Sequence, residues 1–206
     1  MRAAIKKARS NSIVELVVLV AVALFLALTV QAYAVKPYRI PSGSMEPTLT
    51  IGQRVIVDRI THRLGEKPGV GDIEVFNPPA GADDEICGVR GQGEGTPTPC
   101  SRPVAKKSSE TFIKRVVGVG GDTISIRDGH VIRNGKPTKE SFAASCGGGG
   151  DCNFPHTITV PKGYVYMMGD NRGESDDSRF WGPVPISWVI GRALVTYWPP
   201  DRVGTL

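Results

Sequence analysis

The stretch that decides the fold is TFIKRVVGV, Thr111–Val119, in which β-branched and apolar residues surround two adjacent cations. This pattern predicts a β-strand. Because residues two apart on a strand share a face, Lys114 is expected to lie with Phe112 and Val116, and Arg115 on the opposite face. Desolvation among apolar neighbours would lower the pKa of this lysine towards that of a general base. On a sheet edge its ammonium would instead reach solvent, and the strand alone leaves both interpretations open.

Further runs with strand character lie on both sides of this one. They are Gln53–Ile60, Asp72–Asn77, two short strands around the turn Asp128-Gly129, and the runs HTITV, YVYMMGD and SWVIGRALVTYW. The 25 glycines and 16 prolines favour a turn-rich β protein. No segment after the N-terminal apolar run has a helical period. We therefore predict a mostly β domain over 36–206, built as a barrel or a folded pair of sheets.

The N-terminal apolar run, Ile13–Val30, is 18 residues long and contains one charge, Glu15. As a helix it would rise about 27 Å, close to the thickness of a bilayer core. We predict a single transmembrane anchor over 13–35 behind a basic tail, 1–12. A cleavable signal peptide is the alternative, because Ala32-Tyr33-Ala34 has the form of a cleavage site, but the apolar run exceeds the usual length of about 7–15 residues.

The positive charge of the chain is concentrated at its N-terminus. The formal net charge is +5, and four basic residues lie within the first ten positions: Arg2, Lys6, Lys7 and Arg9. A basic tail prefers the cytoplasmic side of a membrane, which puts the β domain outside the cytoplasm. Because the charge forms a tail and not a groove, we expect no nucleic-acid partner.

Four cysteines lie in the C-terminal part of the chain: Cys87, Cys100, Cys146 and Cys152. Three disulfide pairings are possible, and Cys87–Cys100 with Cys146–Cys152 closes the shortest loops. Disulfides fit an extracytoplasmic location. No C-x-x-C pair or closely spaced histidines suggest zinc, so we predict no metal and no cofactor. The Gly- and Pro-rich segment 81–110 is interpreted as a long insertion that a disulfide holds.

The usual patterns of serine hydrolases are missing from the sequence. No serine lies in a G-x-S-x-G or S-x-x-K motif. The three histidines, His62, His130 and His156, lie in surroundings typical of exposed loops, which does not favour a Ser-His-Asp triad. Lys114 is a different candidate base.

Three blocks in this order resemble the type I signal peptidases, or leader peptidases, which are membrane-anchored serine proteases with a serine–lysine dyad. The blocks are IPSGSMEPTL (Ile40–Leu49), FIKRVVGVGGD (Phe112–Asp122) and GDNRGESDDSRFWG (Gly169–Gly182). The resemblance extends from Ile13 to about Pro199 and leaves the insertion 81–110 uncovered. One departure is Gly173-Glu174, where the family usually has Asp-Asn.

The resemblance implies a role for each matched position. Ser44 would be the nucleophile and Lys114 its general base. Ser42 would join the Ser44 backbone N–H in an oxyanion hole, and Ser175 would orient the lysine. The other matches are two supporting ion pairs, Asp170–Arg115 and Asp177–Arg179, and shallow apolar substrate pockets formed by Ile40, Met45, Leu49 and Ile113.

The resemblance also implies the activity. We expect a serine endopeptidase of the plasma membrane that removes signal peptides from secreted pre-proteins after A-x-A-like sites, with pre-proteins and membrane lipid as partners. Ser44 follows Val30 by only 14 residues, which would hold the site near the membrane surface. A self-cleaving repressor-type Ser/Lys protein is a weaker hypothesis, because the membrane segment stands where a DNA-binding segment would be needed. A non-catalytic anchored β domain is the hypothesis of another class.

Overall fold

The computed structural model describes the backbone of residues 2–33 and 35–206, and the side chains of 12–26, 28–29, 35–149 and 151–206. Helix α1 (Arg2–Tyr33) comes first. The described chain that follows is dominated by strands and turns, with a one-turn helix, α2 (Ser178–Trp181), near the C-terminus.

Twelve strands form two antiparallel sheets in the part of the chain that the structure describes. In chain order they are β1 (Val35–Arg39), β2 (Arg54–Asp58), β3 (Ile73–Phe76), β4 (Phe112–Val119), β5 (Thr123–Arg127), β6 (His130–Arg133), β7 (Lys136–Pro137), β8 (Phe154–Thr159), β9 (Tyr164–Met168), β10 (Val184–Pro185), β11 (Val189–Trp198) and β12 (Gly204–Thr205). The larger sheet has the order β1-β2-β11-β3-β4-β9-β10, with β12 beside β11, and the smaller has the order β7-β6-β5-β8. The prediction of a mostly β domain is confirmed, and it takes the form of two sheets.

Strand β4 lies inside the larger sheet, between β3 and β9. Its side chains divide between two buried apolar clusters. Phe112 and Val116 pack with the first, around Trp181, while Ile113 belongs to the second, which contains Met45. From Phe112 to Val116 the predicted alternation of faces is present, and Lys114 is carried into the interior. Val117 joins the same cluster as Val116, where the pairing of β4 with β9 shifts register.

The insertion 81–110 contains neither helix nor strand in the described structure, apart from an isolated bridge between Pro79 and Lys107. The predicted disulfides Cys87–Cys100 and Cys146–Cys152 are both formed. The N–H of Cys100 donates to the carbonyl of Arg179 at 2.9 Å. The insertion is thus packed against the polar loop that follows β9, Gly169–Gly182.

The apolar segment predicted as a membrane anchor lies in α1, where the large apolar side chains described between Ile13 and Leu28 are exposed. Among the described residues, no helix combines the length and the apolarity needed to cross a membrane. The predicted anchor, 13–35, also includes Ala34 and the side chains of 27 and 30–33, which lie outside the described residues. The structure does not confirm the anchor, and it stays a prediction.

Candidate active site

Ser44 lies in a tight turn between β1 and β2. The turn is closed at its ends by the N–H of Ile40 donating to the carbonyl of Gln53 at 2.8 Å, and inside by the N–H of Leu49 donating to the carbonyl of Met45 at 2.9 Å. Met45 and Leu49 are fully buried in the second apolar cluster and anchor the turn from within. Ser44 is thereby held at the wall of a cleft.

Lys114 meets this turn from the middle of β4. Its Nζ donates a hydrogen bond of 2.7 Å to Ser44 Oγ, although the two residues are 70 positions apart in sequence. Both side chains are buried, with 4% of Lys114 and 7% of Ser44 exposed. The sheet-edge interpretation of Lys114 was therefore wrong, because β3 and β9 cover both sides of its strand.

The protonation of Lys114 follows from this burial. Desolvation lowers the pKa of its ammonium from 10.5 to about 8. The negative charges of Asp177, Asp176 and Asp170 raise the pKa in part, and the Arg179 guanidinium lowers it. At pH 7 about one Lys114 in ten is therefore neutral and able to accept a proton from the hydroxyl that it touches.

The loop after β9 supplies the first supporting ion pair. Arg179 forms a two-point pair with Asp177, with Nε to Oδ1 at 2.8 Å and Nη2 to Oδ2 at 3.0 Å. Asp177 is also the N-cap of α2 and accepts the N–H of Gly169 at 3.1 Å. A Cβ on Gly169 would collide with Ser175 Oγ and the Ser44 carbonyl, so the loop can approach the turn this closely only with glycine there.

The second ion pair links the same loop to β4. Arg115 binds Asp170 through Nε to Oδ1 at 2.9 Å and Nη2 to Oδ2 at 2.7 Å. The hydroxyl of Thr48, in the turn that carries Ser44, donates to the same carboxylate at 2.5 Å. Asp170 thus connects β4, the polar loop and the turn that carries Ser44.

The cleft beside Ser44 and Lys114 has a volume of about 520 Å³. Of the four residues expected to form apolar pockets, Ile40 and Ile113 line it, together with Val75 and Phe112. Met45 and Leu49 do not, because the turn directs them into the core. Ser42 is exposed and lines the cleft next to Ser44.

Comparison with known proteins shows the family to which the chain is related. A family model described as "Signal peptidase, peptidase S26" matches residues 13–198. The chain is 37% identical to the probable signal peptidase I-1 of Synechocystis sp. over 93% of its own length and 86% of that protein, and 35% identical to the signal peptidase I of Leptolyngbya laminosa over 88% and 77%. The chain belongs to the signal peptidase family S26. A crystal structure of a signal peptidase I from Enterococcus faecalis V583 aligns with a TM-score of 0.41 and 26% identity, over 62% of this chain and 97% of that one.

The histidines of this S26 peptidase are not arranged for a triad. His62 lies 3.0 Å from the buried carboxylate of Glu74, so the expectation of an exposed loop was wrong for it. Burial raises the pKa of Glu74 to about 7 despite this contact. His130 approaches Glu140 and His156 bonds to Thr98. None of these described contacts involves Ser44, and no group of three or more His, Cys, Asp or Glu among the described residues could hold a metal ion.

Ser175, expected to orient the lysine, is buried beside the dyad. Its Oγ has no hydrogen-bond partner among the described residues, so the expected bond to Lys114 is not present. The neighbouring departure from the family pattern, Gly173, fits its surroundings, because a Cβ there would come within 3.1 Å of the Cys146 carbonyl oxygen. The local turn therefore tolerates the change.

Two residues of the polar loop were missed as contributors to the site. Arg172 is buried, pairs with Glu140 at 2.8 and 2.9 Å, and donates to the carbonyls of Gly169 and Gly129, which ties the loop to the smaller sheet. Asn171 donates through its side chain to the carbonyl of Gly43 and through its backbone N–H to the carbonyl of Ser44. The dense polar run was the only sequence signal for either, since their partners lie far away in the chain.

Proposed function

We propose that this S26 peptidase removes signal peptides from secreted pre-proteins at a lipid surface, with Ser44 as nucleophile and Lys114 as general base. The observation that carries the proposal is the 2.7 Å hydrogen bond from Lys114 Nζ to Ser44 Oγ at the wall of the cleft. A nucleophile in contact with a desolvated amine is the arrangement that activated serines require.

In the proposed reaction, neutral Lys114 accepts the Ser44 proton while Oγ attacks the carbonyl carbon of the scissile bond. The negative oxygen of the tetrahedral intermediate is stabilised by the Ser44 N–H and the Ser42 hydroxyl. Lys114 then gives its proton to the leaving amine, which releases the mature protein and leaves an acyl-enzyme. A water molecule, deprotonated by the same lysine, hydrolyses that ester and restores Ser44.

The walls of the cleft support a preference for small apolar side chains next to the cut. Ile40, Val75 and Ile113 form an apolar part of its wall, although charged residues, among them Arg39, Asp83 and Glu174, line other parts. Short apolar side chains, as in an A-x-A-like site, match this surface. Widening it with Ile113→Ala should admit a larger residue before the cut, as processing of a pre-protein with Leu at that position would reveal.

The exposed apolar side chains of α1 support the proposed location of the protein at a lipid surface. Exposed large apolar residues recur along the helix from Ile13 to Leu28, and an apolar surface of this length is costly in water. Membrane fractions washed with alkaline carbonate should retain the full chain. Release of most of the chain into the wash would remove this part of the proposal and leave the peptidase activity untouched.

The deciding experiment is processing of a purified pre-protein by the full chain in detergent. Ser44→Ala and Lys114→Ala should each reduce cleavage to background while thermal unfolding still shows a folded protein. Lys136→Ala, at an exposed lysine of β7, is the matched control and should process normally. Full activity of either site variant would exclude the proposed dyad. A serine-reactive probe that fails to label Ser44 would favour a non-catalytic binding domain.

A further inference from the structure

Asn171 holds the turn that carries Ser44 from behind. Its Nδ2 donates to the carbonyl of Gly43 at 3.2 Å, and its backbone N–H donates to the carbonyl of Ser44 at 3.1 Å. Because a carbonyl oxygen can only accept, the group of Asn171 that faces Gly43 must be the amide nitrogen. Two successive carbonyls of the turn are thus directed at one residue of the polar loop.

The carbonyl of Gly43 has a second donor, the N–H of Glu46, at 3.0 Å. A carbonyl oxygen has two lone pairs, so these two bonds use its full accepting capacity. Its direction is thereby determined from two sides, and the peptide plane between Gly43 and Ser44 is held with it.

The planarity of that peptide bond determines where the Ser44 N–H points. In a trans peptide the N–H lies opposite the preceding carbonyl, so the Ser44 N–H points away from Asn171. Gly43 and Ser44 line the cleft, whereas Asn171 is not among its described lining residues. The N–H therefore points towards the cleft side of the turn, and no acceptor lies within hydrogen-bonding distance of it among the described residues.

Asn171 is itself held rigidly by its neighbours. The N–H of Ala144 donates to the carbonyl of Asp170 at 2.8 Å, and Ala144 and Asn171 form a bridge. On either side, Asp170 is paired with Arg115 and Arg172 is paired with Glu140. A side chain mounted on such a backbone can hold a direction to within the few tenths of an ångström that a preorganised donor needs.

We propose that Asn171 is a positioning residue for the oxyanion hole: by binding the Gly43 carbonyl, it directs the Ser44 N–H at the oxygen that becomes negative during cleavage. This inference rests on the proposed function of Ser44. It adds a residue that does not touch the substrate and acts only through the orientation of one peptide plane. Its contribution appears when charge develops in the transition state, and not when the substrate binds.

The test is Asn171→Asp, which keeps the shape of the side chain and replaces the donor with a carboxylate that repels the Gly43 carbonyl. Losing one oxyanion donor outright costs about 100- to 1,000-fold in kcat. We expect misdirection to cost about 10- to 100-fold in kcat. KM should stay within about twofold, because substrate binding does not depend on this N–H. The added carboxylate should itself raise the pH midpoint set by Lys114, so the pH profile is measured on the uncharged variant Asn171→Ala, in which the midpoint should not move. Asn77→Asp is the matched control, since Asn77 Nδ2 also donates to a backbone carbonyl, that of Glu110.

A second measurement separates positioning from general loosening of the site. A peptide aldehyde forms a hemiacetal whose oxygen occupies the oxyanion position, whereas a reduced-amide peptide has no such oxygen. Asn171→Asp, or Asn171→Ala if the aspartate variant does not fold, should weaken the aldehyde about tenfold or more and leave the reduced amide unchanged. Equal weakening of both, or a shifted pH midpoint in the uncharged variant Asn171→Ala, would overturn the proposal in favour of a purely structural role.

The failure of this inference can be told apart from that of the proposed function. A wild-type protein that processes pre-protein, beside an Asn171→Asp variant with the same kcat, overturns only the positioning role. A wild-type protein whose activity survives Ser44→Ala overturns both.

Discussion

Lys114 and Arg179 are two buried basic residues that both interact electrostatically with Asp177, but their pKa values shift in opposite directions. Arg179 has a two-point pair with Asp177 and further bonds to the carbonyls of Arg172 and Ser175. Burial lowers its pKa, but the charge and hydrogen bond of Asp177, together with Tyr166 and Asp151, raise the pKa on balance. Among the described residues, the Ser44 hydroxyl is the one hydrogen-bond partner of Lys114, and desolvation lowers its pKa to about 8. A buried cation stays charged when a carboxylate binds it directly, and becomes a base when that carboxylate is already bound elsewhere.

The largest effect is expected from Lys114→Arg, which replaces the proposed general base with a permanent cation. Arginine cannot lose its proton near neutral pH, so the general-base contribution, about 100- to 10,000-fold, should disappear from kcat. The measurement is steady-state processing of a pre-protein. Lys136→Arg, the same change at an exposed lysine, should leave kcat unaltered, and substantial activity in Lys114→Arg would rule out proton transfer to this side chain.

The next largest effect is expected from Arg179→Met, which leaves the fully buried Asp177 without its cation. Removing one partner of a buried ion pair costs about 3–5 kcal/mol of unfolding free energy. Urea denaturation should show this loss at pH 7, while Arg127→Met, at an exposed arginine of β5, should change little. A loss of less than about 1 kcal/mol of unfolding free energy would show that the Arg179–Asp177 pair contributes no more than an exposed ion pair.

Lys114→Met should have the opposite sign and stabilise the fold. The folded-state pKa of Lys114, about 8, lies below its ordinary value of 10.5. Below pH 8 the charged, buried Lys114 therefore destabilises the folded wild-type protein by about 3 kcal/mol. Lys114→Met removes this cost but also loses the hydrogen bond to Ser44, which offsets about 1 kcal/mol of the gain. The cost fades as pH rises from 8 to 10.5, so the advantage of Lys114→Met should be largest near pH 7 and vanish above pH 10.5.

Denaturant titrations of wild type and Lys114→Met at pH 7, 9 and 10.5 measure this change. A gap that stays constant with pH would show that packing, and not the charge of Lys114, causes it.

The smallest effect is expected at a pair in contact with water. Arg133 Nη1 lies 3.3 Å from Asp122 Oδ2, and 34% of the arginine side chain is exposed. Arg133→Ala should lower the free energy of unfolding by less than about 1 kcal/mol and leave processing unchanged. A larger loss would show that solvent exposure is a poor guide to which of these pairs matter.

Much of the fold could be predicted from short-range pattern. Alternation identified the long strands, because one face of each strand packs on a core. It left open whether Lys114 on β4 is buried or reaches solvent. The two-residue strands β7, β10 and β12 and the helix α2 were missed, since two to four residues are too few to show a period. Strand β1 was missed as well, because Pro37 lies in it and its residues do not alternate. The barrel-or-two-sheets alternative stayed open because which strand pairs with which depends on contacts between distant segments.

The candidate site also has a part that the sequence predicted and a part that it did not. The resemblance identified Ser44, Lys114 and both ion pairs, whose residues are found in contact, but it wrongly gave Met45 and Leu49 to the cleft. That error arises because both residues are apolar in either setting, and only the path of the turn decides whether they face substrate or core.

By itself the sequence predicted the β-rich domain, the apolar N-terminal helix, the family, and the serine and lysine that lie in contact, because these predictions depend on periodicity, on side-chain chemistry and on motifs that match the family. Only the tertiary structure decided that Lys114 is desolvated, that Asp177 is already bound by Arg179, and that Asn171 lies behind the Ser44 turn. The reason is physical: a pKa and the direction of a peptide N–H are set by neighbours in space, and those neighbours lie tens of residues away along the chain.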